Sequence, residues 1–247
     1  MIKKKKFNLD KKIIIGTAQF SNNYGIVKKK NQNPFQFIKS IKKFRPKTFD
    51  TSVNYKGSIN LIESKIKNSN LVIKLSTRNY SKITPILKFK KQVNLISKKI
   101  KKNKIYSLMI HDFSLSFSKE INDHINFLSE YCKKNKIHFG FSIYNLKEFN
   151  YIKKYDFKVL QVPINVFNRE FISSKFARYV KLKKIEVHAR SIFLQGLLVN
   201  DLELSPKKFS KFKSIFDSWQ RLCKKNKISR INACINFILN LSFVSKL

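Results

Sequence analysis

Leu71-Val72-Ile73-Lys74-Leu75 is an apolar run of strand length with a single lysine set into it. A strand so apolar belongs inside a sheet covered by helices, and an ammonium held there needs a carboxylate partner. Runs of the same kind occur at Lys12–Gly16, Thr48–Asp50, Tyr106–His111, His138–Ser142, Val159–Val162 and Ile185–Ala189, which makes seven predicted strands. Between them apolar residues recur at helical spacing, as in Phe35, Ile38 and Ile41, in Leu87, Val93, Ile96 and Ile100, or in Ile121, Ile125 and Leu128. Strand and helix in alternation predict a parallel sheet with crossover helices. An open doubly wound sheet would carry a glycine-rich phosphate loop after a strand, and neither G-x-G-x-x-G nor G-x-x-x-x-G-K-[ST] is present. Instead polar residues stand at or near the ends of successive strands: Asp50, Lys74, His111, Ser142 and Gln161. Polar groups converging from many strand ends predict an α/β fold of the closed (β/α)8 TIM-type barrel, one domain over residues 1–247.

Composition bounds the function more weakly. The formal net charge is +39, which in many proteins signals nucleic acid or an anionic membrane. Here the basic residues are almost all lysines spread along the chain, alongside abundant Ile, Asn and Phe, a pattern that AT-rich codons produce. A nucleic-acid surface concentrates arginine, so no specific nucleic-acid partner is expected. Cys132, Cys223 and Cys234 form no CxxC pair and have no histidine at ligand spacing, so neither metal nor disulfide framework is expected and a cytoplasmic location fits. The basic start is interrupted by Asp10 without a cleavage site, and the longest apolar stretch, Ile231–Val244, is short and broken by asparagines, so no signal peptide or membrane span is expected.

The motifs fall in a recognisable order. Thr48-Phe49-Asp50-Thr51-Ser52-Val53-Asn54-Tyr55, Val72-Ile73-Lys74-Leu75 and Leu108-Met109-Ile110-His111-Asp112 resemble the aldo-keto reductase segments that carry the family's aspartate, tyrosine, lysine and histidine. Gly16-Thr17-Ala18-Gln19-Phe20 with Tyr24-Gly25-Ile26, Gly140-Phe141-Ser142, Gln161-Val162-Pro163-Ile164-Asn165 and Arg190-Ser191-Ile192-Phe193-Leu194-Gln195-Gly196-Leu197 are similar to further segments of that family. The resemblance implies catalytic roles for Tyr55, Asp50, Lys74 and His111. It also implies a nicotinamide cofactor, NADP(H) rather than NAD(H), touched by Gly16, Thr17, Asp50, Ser142, Gln161, Arg190 and Ser191. Its partner would be a small-molecule carbonyl substrate; oligomeric state is not indicated.

The chemistry is coherent in its own right. Reducing a carbonyl needs a hydride donor and an acid that protonates the developing alkoxide. A free tyrosine, with a pKa of about 10, holds its proton tightly, and a neighbouring ammonium makes it a better acid. Lys74 would supply that ammonium, Asp50 would orient it, and His111 would hydrogen-bond the carbonyl oxygen. Taken singly, Asp50 also suits a helix or turn cap and Tyr55 an ordinary loop aromatic. His124, His138 and His188 read as structural.

Three features depart from the resembled family. Ile143 follows Ser142 where many relatives have asparagine, and Arg190 stands where others place a ring against the nicotinamide. Ile231–Leu239 reads as the seventh crossover helix, with Leu241–Leu247 entering the eighth strand at the end of the sequence. The expectation is therefore a barrel truncated at its C-terminus, lacking most of the eighth βα unit and open at the first strand's edge. Such a chain is expected either to reduce a carbonyl with a nicotinamide cofactor or to persist as a catalytically impaired barrel acting in binding or interaction.

Overall fold

The computed structural model of the chain describes residues 12–21, 33–79, 82–111, 119–201 and 207–247. Among these residues one eight-stranded sheet runs in the order β1 (Ile15–Gly16), β2 (Thr48–Ser52), β3 (Asn70–Ser76), β6 (Lys104–His111), β7 (His138–Ser142), β8 (Val159–Pro163), β9 (Glu186–Arg190) and β10 (Val244–Lys246). All neighbouring pairs are parallel. A separate antiparallel ribbon of β4 (Arg78–Asn79) and β5 (Lys82–Ile83), not anticipated from sequence, follows β3.

The eighth strand is present, and the expected gap beside the first strand is closed. Leu247 N–H donates to the Lys12 carbonyl at 2.9 Å and Ile14 N–H donates to the Leu247 carbonyl at 2.7 Å. These two bonds have the pattern of a parallel bridge between Leu247 and Ile13, and they join β10 back to β1. The first strand is shorter than expected, Ile15–Gly16 rather than Lys12–Gly16. Between β9 and β10 the described residues hold two α-helices rather than one, α7 (Lys213–Lys225) and α8 (Arg230–Leu239).

The other helices are α1 (Pro34–Lys42), α2 (Ser58–Lys65), α3 (Ile86–Lys99), α4 (Lys119–Lys134), α5 (Leu146–Ile152) and α6 (Ser174–Leu182). In α4 the buried residues Ile121, His124, Ile125, Leu128 and Cys132 follow the helical repeat and make its inner face. Asn33, Asn145, Ser173 and Ser229 cap α1, α5, α6 and α8 by accepting from backbone N–H groups of the first turn. Lysines close the last turns of α3, α4 and α7, where the helix dipole favours positive charge.

Strand alternation decides which side chains enter the barrel. Ile15, Phe49, Leu71, Ile73, Leu75, Leu108, Ile110, Phe139, Phe141, Leu160, Val162, Val187 and Ala189 belong to the core between sheet and helices. Their alternate neighbours face inward. Ile14, Val72, Tyr106, Met109 and Val159 fill the interior. Gly16, Asp50, Lys74, Ser142, Gln161 and Arg190 share that inward parity. Gly140 is needed there because a Cβ would stand 2.4 Å from the Val159 carbonyl oxygen and 3.1 Å from the Met109 side chain. A smaller core of Val166, Leu198, Trp219, Cys223 and Cys234 anchors α7 and α8, with Trp219 Nε1 donating to the Leu198 carbonyl.

Candidate functional site

Four inward-facing residues from four strands form one hydrogen-bonded chain. Lys74 Nζ lies 2.5 Å from Asp50 Oδ2, Gln161 Nε2 donates to Asp50 Oδ1 at 3.2 Å, and Ser142 Oγ donates to Gln161 Oε1 at 3.0 Å. The Lys74 side chain is 4% exposed and that of Asp50 15%. Removing both charges from water is costly, so the pair is not explained by stability, and what it secures is an oriented ammonium.

Asp50 is also fixed from behind. Thr17 N–H and Thr17 Oγ1 both donate to its carbonyl, at 3.0 and 2.9 Å. Ser58 Oγ donates to Thr17 Oγ1 at 2.8 Å and lies 3.1 Å from Thr51 Oγ1. This network ties the end of β1 to β2 and to the first turn of α2.

Tyr55 reaches the pair through the turn that follows β2. Its N–H donates to the Ser52 carbonyl and its own carbonyl accepts from Ser58, both at 3.0 Å. Gly57, at φ 75°, supplies the left-handed conformation that lets α2 start immediately afterwards. The Lys74 ammonium then lies 5.4 Å from the centre of the Tyr55 ring.

A cavity of about 510 Å³ opens above these groups, walled by Gly16, Asp50, Tyr55, Lys74, Gln161, Arg190 and Ser191 among others. Its rim after β9 is backbone in an unusual state. Ser191, Leu194, Gln195 and Gly196 all have positive φ, of 57°, 46°, 53° and 98°. Such conformations are costly for residues other than glycine and concentrate at functional loops, where they turn backbone N–H groups toward ligands.

The remaining candidates are placed differently. Ser142 is 1% exposed and stands behind Gln161 rather than in the cavity wall. Thr17 is fully buried with its hydroxyl committed to Asp50, which makes it a support for the site. His111 stands at the end of β6 with its Nε2 3.0 Å from the hydroxyl of Tyr144. Arg190 lies with its guanidinium 4.4 Å from the centre of the Tyr144 ring and donates to the Ile143 carbonyl at 3.0 Å. Tyr24-Gly25-Ile26 and Asp112 lie outside the described residues.

Two residues escaped the sequence reading. Tyr144 carries no motif of its own. His188, assigned there a structural role, lines the cavity and binds Glu186 Oε1 through Nε2 at 2.7 Å. The polar alternation Glu186, His188, Arg190 along β9 was the available signal. Glu186 also accepts from the Tyr106 hydroxyl and faces Lys246 at 3.5 Å. Burial alone would raise its carboxyl, but His188, Tyr106 and Lys246 outweigh that and hold it down at about 2. Burial, and then the same contact with Glu186, push the Tyr106 phenol up.

Among the described residues no group of three or more His, Cys, Asp or Glu could hold a metal ion, and no helix is long and apolar enough to cross a membrane. Cys132, Cys223 and Cys234 are buried free thiols, and burial pushes those of Cys132 and Cys234 up to about 12 and about 11.

No curated protein matches the chain by sequence. Among solved structures, a thermostable aldo-keto reductase, Tm1743, is similar over 94% of this chain and 82% of its own, with a TM-score of 0.64 and 15% identity. The holo form of the aldo-keto reductase AKR11C1 from Bacillus halodurans is similar over 77% of this chain and 65% of its own, with a TM-score of 0.58 and 14% identity. At such identities these likenesses speak for the barrel alone. The family itself follows from the match of residues 12–246 to the aldo/keto reductase family model: the chain belongs to that family of oxidoreductases.

Proposed function

We propose that the chain reduces the carbonyl of an aldehyde, ketone or sugar with NADPH. The observation that carries this reading is the buried Asp50–Lys74 pair set beside Tyr55 in the wall of a cavity. A bound nicotinamide would supply the hydride, which none of these side chains can give. The residues present fit such a group. Gln161, oriented by Ser142 behind it, offers an amide partner for a carboxamide, Arg190 offers a cation, and the Ser191–Gly196 loop offers strained backbone for a phosphate-bearing chain. NADPH is preferred to NADH on the resemblance to the aldo-keto reductases.

In this reading Tyr55 gives its hydroxyl proton to the carbonyl oxygen as negative charge develops there. Lys74 favours the phenolate left behind, and Asp50 keeps the ammonium charged and aimed. Gln161 bridges the proton machinery to the cofactor side of the cavity. His111 hydrogen-bonds the carbonyl oxygen. The three buried thiols suit a reducing, cytoplasmic setting.

Fluorescence titration with NADPH and NADH, followed by assays on small aldehydes, tests the reading. Binding of NADPH with turnover is expected, and Tyr55→Phe should abolish reduction while leaving cofactor affinity within about twofold. Absence of NADPH binding at high micromolar concentration would overturn it. A second reading, a barrel that binds without reducing, is favoured by His111, whose Nε2 is engaged with the Tyr144 hydroxyl. Cofactor binding without turnover of any carbonyl would select it.

A further inference from the structure

We propose that Tyr144 is a second hydrogen-bond donor to the reacting carbonyl oxygen, acting as a pair with His111. This rests on the carbonyl reduction proposed above. The geometry is direct: His111 Nε2 and the Tyr144 hydroxyl are 3.0 Å apart. Two donor atoms at that separation can both stand at hydrogen-bonding distance, about 2.8 Å, from one oxygen placed between them. A carbonyl oxygen that binds His111 Nε2 from the side of Tyr144 comes within reach of the Tyr144 hydroxyl. In the free protein the two groups satisfy each other, and the carbonyl takes over a bond already formed.

The phenol is held in place from both sides. The Arg190 guanidinium lies 4.4 Å from its ring centre and is itself tied to the Ile143 carbonyl, one residue away. Tyr144 N–H donates to Glu148 Oε2 at 2.7 Å. Glu148 is 2% exposed and stands in the first turn of α5, where its N–H donates to the side chain of the cap residue Asn145. This is a capping box whose glutamate reaches one residue further back than usual. Tyr144 as a whole is 43% exposed. A fixed, accessible hydroxyl beside the histidine stabilises charge without reorganising, which is the requirement for an oxyanion donor.

The proton balance is unchanged. Hydride adds to the carbonyl carbon, the carbonyl π pair moves to oxygen, and Tyr55 supplies the proton. Tyr144 keeps its own proton and donates only a hydrogen bond.

Steady-state kinetics of the full chain and Tyr144→Phe with NADPH and 4-nitrobenzaldehyde test this. The substitution removes one oxygen from a partly exposed side chain and leaves the ring on Arg190. Roughly a tenfold or greater fall in kcat is expected, with KM and NADPH affinity within about twofold, as for a donor engaged in the transition state. Tyr144→Ala should be no more active than Tyr144→Phe. A kcat for Tyr144→Phe within twofold of the parent overturns the proposal, and an increase shows instead that Tyr144 covers His111. Loss of turnover in the parent chain, with NADPH still bound, overturns the reductase reading itself, so the two failures are distinct.

Discussion

Lys74 is the residue on which the proposed reduction turns. It is a lysine among 53 basic residues, yet its neighbours Val72, Ile73 and Leu75 are fully buried and its own charge meets Asp50. Lys74→Met keeps the length of the side chain and strands a carboxylate that is 15% exposed. Stability should fall by about 3 kcal/mol or somewhat less, since Gln161 still donates to Asp50. Adding Asp50→Asn to that variant should return most of the loss without restoring reduction, because no ammonium then stands beside Tyr55. Urea unfolding with parallel assays reads both quantities, and activity in the double variant would remove Lys74 from the chemistry. This pair was legible in the sequence because an ion inside an apolar strand demands a counterion. Tyr144 and His188 were not. One is an aromatic with ordinary neighbours, and the other acquires its setting only when β9 curls its polar residues inside the barrel.

At the scale of elements, the strands were legible because alternate faces of each are filled, leaving long apolar runs. Their ends were not, since the last residues depend on pairing: Ser52 joins β2 only because it pairs with Lys74. Helix α7 went unread although its apolar residues Ile215, Phe216, Trp219, Leu222 and Cys223 recur at helical spacing among lysines and polar groups, the pattern of an amphipathic helix. Gly140, by contrast, is a sequence feature whose reason only packing reveals. Gly140→Ala would drive a methyl to 2.4 Å from the Val159 carbonyl oxygen, and neither backbone can withdraw without breaking the ladder between β7 and β8. The expected cost is about 3 kcal/mol, the upper end for overpacked cores, or failure to fold. A variant melting within a degree or two of the parent would show that the barrel interior yields more easily than its geometry implies. At α5, Asn145→Ala removes the side-chain acceptor of the Glu148 N–H and should cost about 1 kcal/mol in urea unfolding.

The whole molecule closes on its last residue, and this was the feature hardest to read from sequence. A single parallel bridge between Leu247 and Ile13 gives no periodicity to detect, so the barrel looked open where it is joined. Inside that seam, Glu186 on β9 meets Tyr106 on β6, His188 on its own strand and Lys246 on β10, crossing the barrel interior. Its carboxyl lies at about 2 in the folded chain against an ordinary value of 4.5. A folded-state value below the unfolded one means that the contribution is fully present above about pH 4.5 and is lost as pH falls toward 2. The difference corresponds to something on the order of 3 kcal/mol, reduced somewhat because the side chain is 25% exposed. Other acids titrate in the same window, and with 53 basic residues against 14 acidic ones every lost carboxylate increases self-repulsion. The comparison with Glu186→Gln isolates the local effect. Urea midpoints at pH 7, 4.5 and 3 should show the variant less stable than the parent at pH 7 and 4.5, with the gap roughly halved at pH 3 and closing only toward pH 2. Parallel pH profiles would place the acid sensitivity in the net charge, and raising salt from 0.05 to 0.5 M, as a rough screening range, should then restore most of it.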